Sequence, residues 1–259
     1  MKIKNCFFSI ITVVLNAKSD LEKTIKSLED QSFKNFEFIV VDGGSTDGTV
    51  ELIKKNSHII NYWVSEKDKG IYDAMNKGLK ISSGKYIGML NAGDQYTPNA
   101  LQIINRYLTG SKFDFIFGTV KKKVLRYGFR KNRIFWNFDF ATSHSSGFFI
   151  NKQSQNILGE YNLKYKISSD YDLFYRMIVT KKMKGCSTDK NELIGIFKSG
   201  TSYSSKFSFI DHLMEETKIR LDNKQNRFFV LMVFLRHFYK NKDKTNESLM
   251  GILNKFKSL

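Results

Sequence analysis

Apolar residues in this chain first form a continuous run, FFSIITVVL at positions 7–15, and then recur at helical spacing at Leu21, Ile25 and Leu28. A run of β-branched and aromatic residues suits a strand covered on both faces, and the spaced stripe suits a helix with one face on a core. Asp20 stands where it would cap that helix. The alternation continues with a strand at 36–41, a helix at 50–55, a short strand ending near Val64, and a helix at 71–81 whose Met75 and Leu79 face inward. Another apolar run follows in KYIGMLNAGD, positions 85–94, and breaks off in a polar corner. Strands alternating with helices predict an α/β fold on a parallel, doubly wound sheet.

The rest of the chain is patterned less regularly. Thr97-Pro98 reads as a helix start, because threonine caps and proline fits the first turn. Residues 113–120 read as a strand leading into KKKVLRYGFRKNRIFWNFDF, a basic and aromatic excursion with neither helical nor strand period. Residues 146–150 return to strand character, a helix follows at 152–158, and ISSDYDLFYRMIV puts Ser169 or Asp170 at a helix N-terminus. A closing strand at 192–197 precedes two helices, 209–221 and 227–239. The core of the last helix, FFVLMVFL, is apolar all round and flanked by Arg227, Arg236 and Lys240, which suits burial in the body, a membrane interface or a dimer contact.

Composition narrows this picture. A chain of 259 residues with 41% hydrophobic and 14% aromatic residues can bury one large core. The formal charge of +17 implies anionic surroundings: nucleic acid, an acidic membrane surface or phosphorylated ligands. Nucleic acid ranks last, for no helix-turn-helix, zinc-finger or RNP pattern accompanies the charge. Cys6 and Cys186 lie far apart without metal-ligand spacing and read as buried thiols of a reducing compartment. The N-terminal apolar run contains Thr12, stops at Asn16 and lacks a small-residue cleavage site, so it reads as a strand rather than a signal peptide. No run reaches the roughly 20 apolar residues of a membrane span. The expectation is a cytoplasmic protein, soluble or peripherally attached.

Candidate chemistry gathers at three acidic corners: Asp42 in VVDGGSTDGT (40–49), Asp94 at the end of KYIGMLNAGD, and Asp170. Glycines beside a strand-end acid let the backbone approach a planar or phosphorylated ligand, although each corner taken singly is an ordinary turn. Together with SIITVVLNA (9–17), SEKDKGIYDAMNKG (65–78), GKYIGMLNAGD (84–94), SHSSGFFI (143–150) and ISSDYDLFYRM (167–177), they resemble the inverting, nucleotide-sugar-dependent glycosyltransferases of family 2.

That resemblance implies a GT-A fold, a Rossmann-like and mostly parallel sheet with helices on both faces, over residues 1–204. The nucleotide-sugar half would span 1–97, the acceptor half 98–204, and 205–259 would be a helical extension. It implies that Val14, Asn16 and Asp42 line the nucleoside pocket, with Asp42 bonded to the base. Asp68 and Gly70 would lie beside base or ribose, with Asp73 and Asn76 close by. Asp94 would hold Mn2+ or Mg2+ on the diphosphate, with Asn91, which stands where relatives carry aspartate, on ribose or metal-bound water. Asp170 would be the catalytic base and His144 would lie near a sugar, while Asp172 supports structure. The segment 121–140 would be a lid, with Arg126, Arg130, Lys131 and Arg133 near phosphate and Trp136 and Phe138 near sugar or lipid. With no Q-x-x-R-W pattern, transfer of one sugar is expected. The implied setting is surface polysaccharide assembly on the cytoplasmic face of the inner membrane, with a lipid-linked glycan acceptor and no nucleic acid. A non-catalytic nucleotide-sugar or glycan-binding protein on the same scaffold is the alternative.

Overall fold

The structure is a computed structural model in which residues 6–136, 146–198 and 207–244 are described. The elements run β1 (Phe8–Val14), α1 (Lys18–Glu29), β2 (Phe36–Asp42), α2 (Thr49–Lys55), β3 (Tyr62–Ser65), α3 (Ile71–Ile81), β4 (Tyr86–Met89), β5 (Gln95–Tyr96) and α4 (Ala100–Leu108). They continue as β6 (Phe115–Phe117), β7 (Thr119–Lys121), β8 (Leu125–Arg126), α5 (Arg133–Trp136), β9 (Phe148–Asn151), α6 (Lys152–Leu158) and α7 (Ser169–Tyr175), whose last turn widens into a π-helix over Arg176–Thr180. The chain ends in β10 (Gly185–Ser187), β11 (Leu193–Ile196), α8 (Phe209–Asp222) and α9 (Arg227–Lys240).

These elements form two compact units. The first contains the described residues up to Phe129, those from 146 to Tyr161 and those from Lys182 to 198; the second contains α5, α7, its π-helical turn, α8 and α9. The division differs from the expected boundaries at 97/98 and 204/205, since α7, which carries Asp170, groups with the C-terminal helices.

In the first unit a seven-stranded sheet has the order β10-β6-β9-β4-β1-β2-β3. β1 pairs in parallel with β2 and β4, and β2 with β3, while β9 runs antiparallel to both β4 and β6. All seven residues of β1 and of β2 are buried, as continuous apolar runs are when both faces are covered. The pleat sorts them: Phe8 and Ile10 join Leu21, Ile25 and Leu28 of α1 and Ile104 of α4, whereas Ile11 on the other face meets Gly78 of α3. A Cβ on Gly78 would collide with Ile11, so glycine there sets how closely α3 lies on the sheet.

Several local expectations change. α1 starts at Lys18 after Ala17, with Asp20 inside its first turn rather than at its cap. The Thr97 hydroxyl donates to the Leu193 carbonyl at 2.7 Å, so Asn99 takes the capping position of α4, without a side-chain cap bond. The strand expected at 113–120 is two strands broken at Gly118, where a Cβ would strike Ile194. The second of these enters a four-stranded sheet, β5-β11-β7-β8, and the basic excursion begins with the β7–β8 hairpin. Cys6 is buried as expected, but Cys186 is only half-buried; both are free thiols, and burial pushes the Cys186 thiol up to about 11.

In the second unit, Arg220 of α8 is fully buried. Its guanidinium donates to the carbonyls of Ile134 (2.6 Å) and Phe135 (3.0 Å) and lies over the rings of Tyr171 and Tyr175. One arginine thereby holds α5, α7 and α8 together, with its charge spread over carbonyl dipoles and aromatic faces.

Candidate active site

Because β1, β2, β3 and β4 are parallel neighbours, their C-terminal ends open on one sheet edge, where open α/β sheets bind ligands. The register places Val14 opposite Asp42 and Asp42 opposite Ser65. The loops that follow, 15–17, 43–48, 66–70 and 90–94, therefore cluster, bringing Val14, Asn16, Asp42, Asp68, Gly70, Asn91 and Asp94 to one edge of the first unit.

Asp42 is fully buried, and its carboxylate is consumed by its own corner. One oxygen accepts from the amides of Gly44 (3.1 Å) and Ser45 (3.0 Å) and from the Ser65 hydroxyl (2.6 Å); the other accepts from the Ser45 hydroxyl. Asn16 holds a left-handed backbone (φ 48°) and ties the first loop to the second, its side-chain oxygen accepting from the Thr46 amide at 2.8 Å.

The acid that faces this corner is Asp68. A Cβ on Gly43 would collide with its Oδ2, so the absent side chain makes the room the carboxylate occupies. The other oxygen accepts from the Gly70 amide at 2.9 Å, and Gly70, at φ 120°, turns the chain into α3. Leu15 also borders Gly43 and is 55% exposed. An exposed leucine and a half-buried carboxylate thus meet over Gly43, pairing an apolar side chain with a hydrogen-bond acceptor. Leu15 was not singled out above; its only signal is that an apolar run extends one residue past its strand.

Asp73 and Asn76 serve α3. Asp73 accepts from the Lys69 amide at 3.0 Å, and that bond, helped by Lys77, holds its carboxyl below the usual carboxylate range. Lys77 bridges Glu66 (2.8 Å) and Asp73 (3.5 Å), fastening the loop after β3 to the helix. The Asn76 amide is 3% exposed and bonds both ways with the backbone of Tyr161, so it braces the fold beneath the site.

The corner after β4 rests on Thr24 of α1, whose hydroxyl accepts from the Gly93 amide (2.9 Å) and donates to the Asp94 carbonyl (2.8 Å). Gly93 is at φ 97°, which the tight turn requires. β5 and β11 pair antiparallel with Gln95 opposite Ile196, which carries Lys198 alongside. The Lys198 amide donates to Asp94 Oδ1 at 3.0 Å while its ammonium reaches Asp20 at 2.6 Å. Neither Lys198 nor the role of Asp20 was legible beforehand. Beneath them the hydroxyl of buried Tyr96 is pushed well up, first by burial and then by the Asp94 charge.

Among the described residues no three His, Cys, Asp or Glu side chains cluster as a metal site, and Asp94 is the one carboxylate on the turn from Asn91 to Asp94. Asn91 Oδ1 is buried without a hydrogen-bond partner. An orphaned amide oxygen on the same turn as a carboxylate suits a hard cation that draws its remaining ligands from phosphate.

Asp170 lies in the first turn of α7, in the second unit. Asp172 is 2% exposed and accepts from Arg176 Nε at 2.8 Å and Asn223 Nδ2 at 3.0 Å, so its charge is spent on packing. The Ile167 and Ser168 amides donate to Glu215 at 2.7 and 2.6 Å, fixing the approach to Asp170. His144 and Phe138 lie outside the described residues.

Strand order and the helices packed on the central sheet define an α/β protein of the GT-A type. The sequence profile of glycosyl transferase family 2 matches residues 9–171, and the chain belongs to that family. A PGL/p-HBAD biosynthesis glycosyltransferase of Mycobacterium bovis is 27% identical over 205 residues, covering 73% of this chain and 78% of that protein. Among solved structures, Staphylococcus aureus TarS 1–349 in complex with UDP-GlcNAc superposes with a TM-score of 0.66 at 17% identity, over 90% of this chain and 73% of that one. This chain spans 43% of the longer TarS chain. A mannosyltransferase of Pyrobaculum calidifontis, in complex with GDP-Man and Mn2+, gives a TM-score of 0.65 at 12% identity, over 97% and 81%. At these identities the two structures speak for the fold.

Proposed function

We propose that this family 2 glycosyltransferase moves one hexose or N-acetylhexosamine, with inversion, from a UDP-sugar to a hydroxyl of a polyprenyl-diphosphate-linked glycan. The setting is bacterial surface polysaccharide assembly, O-antigen, capsule or exopolysaccharide, at the cytoplasmic face of the inner membrane. The observation that carries the donor half is the meeting of Leu15 and Asp68 over Gly43 on the same sheet edge as Asp94. UDP-GlcNAc bound to TarS supports a uridine donor.

In this reading Asp68, with Val14, Asn16 and Gly70 around it, meets base and ribose. Asp42, saturated by its own corner, shapes the loop instead, while Asp73 and Asn76 hold α3 in place. Asp94 and Asn91 would hold Mn2+ or Mg2+. When bound, the ion offsets charge gathering on the departing nucleoside diphosphate. Asp170 takes the proton of the acceptor hydroxyl, so the oxygen attacks the anomeric carbon in one displacement and inverts it. His144 and the basic segment through Arg126, Arg130, Lys131 and Arg133 are assigned to sugar and acceptor diphosphate.

The test is nucleotide release by purified protein from UDP-, GDP- and dTDP-sugars, with Mn2+, with Mg2+ and with EDTA. Slow release from one donor is expected, lost in EDTA and reduced at least a hundredfold by Asp94→Ala. Release undiminished in EDTA would remove the metal, and binding of no nucleotide would overturn the donor assignment.

A further inference from the structure

The FFVLMVFL core of α9 is apolar on every side, and only one side of it is buried. Val230 and Val233 are buried as α9 packs with α8 in the second unit. On the opposite side Phe228 (73% exposed), Leu231 (50%), Met232 (51%), Leu235 (36%) and Tyr239 (69%) stand in solvent. At about 100° per residue these five fall within an arc of roughly 100°, centred opposite the buried valines. Arg227 borders the arc on one side, Arg236 and Lys240 on the other, and all three are exposed. The helix contains no acidic residue. A contiguous apolar stripe of this size edged by cations is not what solvent alone selects on a monomer surface.

We propose that this face of α9 is an interfacial anchor that lays the protein on an anionic lipid bilayer. Phe228, Leu231, Met232, Leu235 and Tyr239 enter the boundary between headgroups and acyl chains. Arg227, Arg236 and Lys240 meet the lipid phosphates. Fourteen residues are about 21 Å of helix, too short to span a bilayer, so α9 lies in its plane. Charge complementarity chooses the occupant: a second copy would bring a like net charge of +17 to a face already rimmed with cations, whereas an acidic membrane neutralises it. Apolar insertion and basic attraction act together here, the combination that stable peripheral attachment needs. The inference rests for its purpose on the lipid-linked acceptor, and would hold this enzyme where that acceptor resides.

The experiment is flotation of the full-length protein with vesicles of phosphatidylcholine alone or with about a third phosphatidylglycerol, in parallel with donor hydrolysis in solution. Wild type is expected to bind the anionic vesicles and to release them at high salt. Leu231→Ser/Met232→Ser should weaken that binding at least tenfold, and Arg227→Glu/Lys240→Glu comparably, with the thermal midpoint and soluble donor hydrolysis unchanged because these four side chains are exposed. Undiminished vesicle binding by the serine variant would overturn the proposal. So would a wild-type dimer in sedimentation that the serine variant converts to monomer without any lipid binding. Vesicle binding without turnover of any donor would instead strike the transfer reading and leave the anchor standing.

Discussion

Gly43 and Asp68 show how much of this site depends on a missing side chain. Gly43→Ala puts a methyl group where Asp68 Oδ2 lies and displaces the carboxylate assigned to the nucleoside. The Michaelis constant for the donor should rise about tenfold or more with the thermal midpoint nearly unchanged; an unchanged constant would remove Asp68 from the nucleoside site. The acids of α7 offer a complementary contrast. Asp170→Asn should abolish transfer and leave stability intact, because Asp170 is assigned to chemistry. Asp172→Ala strips Arg176 and Asn223 of their acceptor and should cost about 2 kcal/mol, a moderate figure because Arg176 is partly solvated. Urea denaturation and acceptor turnover on both variants separate the roles, and full activity of a folded Asp170→Asn would refute the base assignment. The family resemblance already set Asp172 apart as structural, and its bonds to Arg176 and Asn223 show what it supports.

Among the elements, periodic segments were read closely and their ends less so. Residues 71–81 and 152–158 were expected as helices and form α3 and α6; the apolar stripe of α3 fits a 3.6-residue repeat, while α6 starts on the Asn151 side chain, which caps its Gln153 and Ser154 amides. The starts of α1 and α4 were misjudged for one physical reason: Asp20 and Thr97 have long-range partners, Lys198 and the Leu193 carbonyl, that outbid the local capping bond. Of the small sheet, β11 lies within the strand expected at 192–197 and most of β7 within that expected at 113–120, but β5, β8 and the pairing of the four were not expected, as strands of two to four residues carry no repeat long enough to recognise. The packing of α3 gives a direct check. Gly78→Ala must push Ile11, which is fully buried between β1 and α3, and should lower unfolding free energy by about 1–3 kcal/mol. Stability equal to wild type would mean that the α3–sheet gap is wider than described.

Over the whole molecule, the titrating groups define a window of stability. Asp47, Asp73 and Asp222 are held below the usual carboxylate range, by the Thr49 hydroxyl, the Lys69 amide and Lys164 respectively. Depressed folded values stabilise above the unfolded carboxylate range near about 4, and that contribution is lost as pH falls through the folded values. Tyr165, Tyr171 and Tyr175 are raised, each chiefly by burial, so their contribution is present below about 10 and is lost as pH rises further. Burial also lowers the His237 imidazole and raises the Cys6 and Cys186 thiols, so the thermal midpoint should be flat only between about pH 7 and 8 and fall below about 6.5 and above about 8.5; a midpoint still constant at pH 3 would contradict the acid arm. The sequence by itself determined the parallel α/β architecture, the family resemblance and the acidic corners, because apolar periodicity and turn chemistry are local properties of a chain. Tertiary structure alone decided that Asp42 is engaged by its own corner and Asp68 lies over Gly43, that Lys198 lies beside Asp94, and that one face of α9 is exposed. Each depends on which distant segment arrives next to it, and strand register and helix packing settle that only after the chain has folded.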